Sequence, residues 1–148
     1  MSESTTAPTV WPELTPLSED ECWSLLRSAA LGRLATAAKG LVDIFPVNYL
    51  IHEGTILFRT APGSKLFSLA SAPLVAFEAD SFDGRWHSSV VVHGRANVLD
   101  DPSEIEASGI RYLVSWSHTP KSKFVRITPT DITGRKVDRS AFTAPDLV

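Results

Sequence analysis

The stretch RLATAAKGLVDIFPVNYLIHEGTILFRT, residues 33–60, decides the fold. Its apolar residues fall at every second position or in short runs, the period of strands rather than of a helix. Two pairs, Lys39-Gly40 and Glu53-Gly54, divide it into runs at 33–38, 42–51 and 55–60. Short turns ending in glycine between such runs predict β-hairpins. Pro46 interrupts the second run, and a proline cannot donate to a ladder. That strand is therefore expected to have an edge, a bulge, or a backbone facing something else at this point.

Upstream, LSEDEC (17–22) reads as a helix start, with Ser18 and Glu21 as a capping box and Leu17 and Cys22 at the staple positions. Cys22, Leu25, Leu26, Ala29 and Ala30 share one helical face, and Gly32 is the expected stop. Residues 1–16 are polar and hold Pro8, Pro12 and Pro16, so they read as a flexible arm from which Trp11 can dock. Downstream, KLFSLASA (65–72) predicts a short helix ended by Pro73, and Asp101-Pro102 predicts another helix start. Further strands are expected near 74–79, 89–99, 124–128 and 132–137, with 139–148 as a C-terminal tail. The whole describes one mainly β domain over 17–138, a closed antiparallel barrel with a few short helices.

Composition narrows the function. The 148 residues are 43% hydrophobic and 21% charged, ordinary for one globular domain, and the net charge of −3 disfavours general nucleic-acid binding. No apolar run approaches the roughly 20 residues that span a bilayer. Cys22 is the only cysteine, which removes internal disulfides and thiolate metal clusters. The first residues lack a basic start followed by an apolar core, so the expected compartment is the cytoplasm.

Chemistry concentrates in FRTAPGSKL, residues 58–66. Arg59 offers a planar fork of donors, Thr60 and Ser64 offer hydroxyls, Gly63 lets a backbone come close, and Lys65 adds a point charge. The set suits a phosphate, while local chemistry alone favours a plain solvated turn. In FPVNY (45–49), Pro46 leaves backbone groups that either serve an edge strand or meet the edge of a flat heterocycle. In RWHSSVVVHGRA (85–96), Trp86 either stacks on a ring or caps the core. His52, His87, His93 and His118 show no metal-ligand spacing, and no nucleophile triad stands out.

LGRLAT (31–36), FPVNY, FRTAPGSKL, VAFEAD (75–80), VVHGRA (91–96) and VRITPTDITGRKV (125–137) follow one another in the order of the pyridoxamine 5′-phosphate oxidase-like proteins. The chain thus resembles the short actinobacterial branch of this flavin mononucleotide (FMN)-binding family over about 19–137. The resemblance implies a six-stranded split barrel that forms a homodimer with two FMN sites at its interface. It implies phosphate binding by Arg59, Thr60, Ser64 and Lys65, and a ring lying against Pro46, Val47 and Asn48. The facing subunit is implied to contribute residues that pack on or near the ring, and Trp86 with either Ser88 or Ser89 are further expected cofactor contacts. The expected activity is that of an oxidoreductase acting on a small organic redox partner. The alternatives are a deazaflavin in the same fold, or a flavin- or haem-binding carrier or sensor without turnover.

The branch often carries Gly-Trp-Ser-Val, whereas Trp86-His87-Ser88-Ser89-Val90 has one residue more and Arg85 in place of the glycine. ITGRKV (132–137) also lacks the histidine of the vitamin B6 substrate motif. Pyridoxamine 5′-phosphate should therefore not be turned over. A peroxide assay on the flavin-loaded protein checks this, and release at a steady enzymatic rate would contradict it.

Overall fold

The computed structural model describes residues 13–70, 74–115 and 120–141. Trp11, Pro73, Trp116 and His118 lie outside them. The strands are β1 (Leu14–Pro16), β2 (Leu31–Ala38), β3 (Leu41–His52), β4 (Thr55–Thr60), β5 (Val75–Phe82), β6 (Trp86–Leu99) and β7 (Lys123–Asp138). The helices are α1 (Glu19–Ser28), α2 (Lys65–Ala70) and α3 (Pro102–Ser108), with short 3-10 turns at Ile110–Tyr112 and Arg139–Ala141.

All pairings are antiparallel, in the order β7-β4-β3-β2-β5-β6, and β6 pairs again with β7. Six strands thereby close into the split barrel. The hairpin turns form as their glycines require: Lys39 and Gly40 have φ of 51° and 77°, and Glu53 and Gly54 have 48° and 71°. Positive φ at both central residues is the type I′ geometry that matches strand twist. Leu34, Val47, Tyr49, Ile56, Phe58, Phe77, Val90, Val92, Val125 and Ile127 fill the barrel. A second cluster, Leu57, Leu99, Ile105 and Ile110, lies under α3 and the turn after it.

Helix α1 plugs the barrel. Ser18 Oγ accepts from Glu21 N at 3.2 Å while Ser18 N donates to Glu21 Oε1 at 3.0 Å, completing the capping box. Cys22, Leu25 and Leu26 turn inward, and Tyr49 Oη donates to Leu26 O at 2.7 Å. The helix sits close because residue 134 is glycine: a Cβ there would lie 2.6 Å from Cys22 Sγ and 2.9 Å from Leu17 Cδ1.

Three boundaries differ from expectation. Gly32 does not stop α1, which is capped at Ala29; it lies inside β2, where a Cβ would meet Phe77 Cζ at 2.2 Å. Residues 14–16 form β1 on β7 rather than belonging to the arm, because three backbone positions there find partners on Arg135–Val137. The two last strands are one, since Pro129 is absorbed by a register shift at His93/Gly94 instead of ending the strand.

That shift needs Gly94. A Cβ at 94 would sit 2.5 Å from Thr128 O and 3.1 Å from Ile127 Cγ2. Gly94→Ala should destabilise the fold by about 1–3 kcal/mol, the usual cost of overpacking. Urea unfolding measures it, and an unchanged midpoint would contradict this account of the bulge.

Candidate functional site

Arg59 and Thr60 are consecutive in β4, so their side chains leave opposite faces. Arg59 Nε and Nη2 donate to Lys121 O at 2.9 and 2.7 Å, and Nη1 donates to Leu113 O at 2.9 Å. Three of its five N–H groups therefore hold the two ends of the segment between Leu113 and Lys121. Thr60 is 1% exposed, and its Oγ1 lies 2.9 Å from Ser64 Oγ. Ser64 Oγ also accepts from Phe67 N at 3.0 Å, at the start of α2. Strand alternation turns Thr60 toward the barrel, where its hydroxyl meets that of Ser64. Gly63, with φ of 71°, completes a turn in which Ser64 N donates to Ala61 O at 3.2 Å. Lys65 projects into solvent, and its Nζ lies 3.1 Å from Asp43 Oδ1.

Pro46 is exposed and sits opposite Arg33 of β2. β3 is twelve residues long and β4 six. Residues 41–48 of β3 pair with β2, while β4 covers only 49–52. Among the described residues, the other edge of 41–48 has no strand beside it. Proline thus stands where one side of the backbone is open. Val47 points into the core, and Asn48 Nδ2 donates to Ala30 O at 3.4 Å. Val47, Asn48, Arg59 and Lys121 enclose, with residues 113–115, a cleft of only about 10 Å³. Leu41, Val42 and Ile44 on the same strand are 64, 76 and 68% exposed.

The third group lies elsewhere. Asp83 Oδ1 accepts from Arg85 N at 3.0 Å and Trp86 N at 2.7 Å, fixing the turn before β6. Lys136 Nζ and Arg85 Cζ approach the Trp86 ring centroid to 4.8 and 5.1 Å. Arg85 also binds Asp138 at 3.0 Å. Hydrogen bonds from the Ser140 hydroxyl, then from Arg85, lower the Asp138 pKa to about 2. Trp86 and Ser88 line a groove of about 580 Å³ against Leu17, Asp20 and Leu25. Ser89 leaves the other face of β6 and borders a shallow depression of about 390 Å³ with Thr133 and Arg135. Neighbours on one strand cannot share a face, so Ser88 and Ser89 are separated by the sheet itself.

One cluster escaped the sequence reading. Arg33 Nη1 lies 3.0 Å from Glu78 Oε2 and 3.5 Å from Asp80 Oδ1, and His87 Nε2 lies 3.2 Å from Asp80 Oδ2. Alternation alone hints at an outward Glu78 and Asp80, but the register that sets Arg33 against Glu78 is a long-range pairing.

The structure therefore brings Lys65, Pro46, Asn48 and Arg59 to the open stretch of β3. It sets Trp86 and Ser88 apart. From Pro46 the ladder runs through Arg33 and Glu78 to Val91, and Trp86 lies five residues further along β6. At ordinary strand spacings this is about 14 Å across and about 16 Å along the sheet. The donor set on β3, a lysine, a partly spent arginine, an amide and an unpaired backbone edge, suits a phosphorylated heterocycle. The cleft beside it does not enclose one, since small-molecule sites typically occupy about 300–1,000 Å³.

Comparison with known proteins places the chain. The sequence pattern of the pyridoxamine 5′-phosphate oxidase family matches residues 18–136. A structure of the FAD binding protein from Mycobacterium smegmatis is 40% identical, with a TM-score of 0.74 over 84% of this chain and 98% of that one. An FAD-binding protein from Mesorhizobium loti is 27% identical, with a TM-score of 0.75 over 86% of this chain and 99% of that one. The uncharacterized protein Rv0080 of Mycobacterium tuberculosis is 33% identical over 132 residues, 84% of this chain and 86% of that protein. By motif order, barrel topology and this match, the chain belongs to the pyridoxamine 5′-phosphate oxidase family.

Proposed function

We propose that the protein is an oxidoreductase that holds a flavin nucleotide, through its FMN moiety, at the interface of a homodimer. The observation that carries this reading is the open stretch 41–48 of β3, with Lys65 at one end and Asn48 and Arg59 at the other. Asp43 and Asn48 leave opposite faces of β3, and the open edge between them spans about 17 Å, the scale of a phosphate arm plus a three-ring system lying along that edge. The flavin binding stated for the two relatives above supports the same reading.

Each residue has a physical role. Lys65 meets the phosphate as a point charge. The unpaired N–H and C=O groups beside Pro46 bond to the polar edge of the ring. Arg59, by holding Leu113 and Lys121, keeps the neighbouring segment against that edge. A second copy supplies the missing wall: the exposed Leu41, Val42 and Ile44 are the apolar surface it covers, and its Trp86 and Ser88 or Ser89 close over the ring. Bound flavin itself supplies hydride and single-electron chemistry, and the protein binds, orients and shields it.

The reading is tested by loading the purified protein with FMN or FAD, reducing it chemically and adding quinones or nitro compounds. Saturable reoxidation faster than that of free flavin is expected. Reoxidation no faster than free flavin with every acceptor would favour a carrier or sensor, and the mass of any co-purified ligand separates flavin from deazaflavin. Light scattering should give about twice the 16.1 kDa of one chain. A monomer that still holds flavin would contradict the interface site.

A further inference from the structure

We infer that Asp43 is a selectivity residue: its carboxylate shares Lys65 with the ligand's phosphate and weighs against phosphorylated flavins relative to riboflavin. The inference rests on the flavin reading and goes beyond it by naming what sets the choice between flavin nucleotides and the bare flavin.

Lys65 is the cation at the phosphate end of the proposed site, and its Nζ already lies 3.1 Å from Asp43 Oδ1. The two partners differ in freedom. Asp43 is carried by β3, whose backbone is held in register opposite Thr36 of β2, and its side chain is short. The Lys65 side chain is 63% exposed, against 27% for Asp43, and sits on a flexible four-carbon stem. An anion that reaches the ammonium therefore does so close to that carboxylate. Thr36, directly across from Asp43, is buried with a hydroxyl that has no hydrogen-bond partner, so it does not neutralise that carboxylate by donating to it.

Repulsion between two anions scales with the product of their charges. Riboflavin has no phosphate and is not repelled. FAD carries one charge on each of two adjacent phosphates joined by an anhydride. The terminal phosphate of FMN is a monoester and carries about −1.5 to −2 at neutral pH. Asp43 thus penalises FMN and FAD and leaves riboflavin untouched. The ammonium still attracts both nucleotides, so the carboxylate tilts the balance towards riboflavin without closing the site.

Fluorescence titration of the apo-protein with riboflavin, FAD and FMN, in the wild type and in Asp43→Asn, tests this. Exposed charges interact weakly, so removing Asp43 should tighten FMN and FAD each by roughly two- to fivefold and leave riboflavin unchanged. Asp43→Ser is the second variant, and thermal unfolding shows that each folds like the wild type. In parallel, Lys65→Ala should weaken FMN roughly ten- to a hundredfold, the loss of one charge-assisted contact, and spare riboflavin. Equal changes for all three ligands, or none, would overturn the inference while leaving flavin binding intact. Unaltered FMN affinity in Lys65→Ala would also overturn it, by removing the phosphate from Lys65. If no flavin binds the wild type, the flavin reading itself falls and this inference with it.

Discussion

A mismatch of strand lengths governs this molecule. β3 has twelve residues and β4 has six, so β4 covers one end of β3 and, among the described residues, no strand covers the same edge of 41–48. Closure makes the mismatch permanent. β7 pairs with β4 over 123–127 and with β6 over 124–138, which spends the free side of β4 on the barrel. An unpaired strand edge is a liability, because its amides and carbonyls invite another chain. Here Pro46 removes one donor from the exposed run, and apolar side chains flank it. An edge of that kind suits a partner, whether a heterocycle, a second copy, or both together.

The same logic reassigns the groups that look most reactive in one dimension. Arg59 satisfies two backbone carbonyls that no strand reaches, and Thr60 and Ser64 satisfy each other and the first turn of α2. These contacts hold the architecture around the edge. Lys65 differs because its partner is a single carboxylate at the surface, a bond of modest strength that a ligand can replace. The polar groups of residues 59–65 thus divide into those that hold the shape and a cation, Lys65, that can exchange partners. Trp86 belongs to the first set within a single copy, anchored by Asp83 below and by Lys136 and Arg85 around its ring.

What was legible in the sequence is what local chemistry decides. The Ser18–Glu21 capping box, the Asp101-Pro102 helix start and the two glycine turns depend on residues a few positions apart, and each formed as read. Alternation in 31–60 was enough for the three-stranded meander. Gly32 and Gly94 were not legible as close-approach positions, because Phe77 and Thr128 come near them only through the fold. The strands near 124–128 and 132–137 read as two because a bulge is invisible until its partner strand is known. For the candidate site, residue types were legible and directions were not. Thr60 inward, Arg59 outward, and Ser88 and Ser89 on opposite faces follow from the phase of each strand, which a shift of one residue would invert.

If the open stretch of β3 seats the flavin and a second copy completes the site, a crystal structure of the protein with FMN or FAD will show density along 41–48. The phosphate will lie on Lys65, the ring edge against Pro46–Asn48, and Trp86 of a symmetry-related copy near the ring. Flavin lying instead in the groove between α1 and β6, enclosed by Trp86, Ser88 and Leu25 of one copy, would contradict this placement.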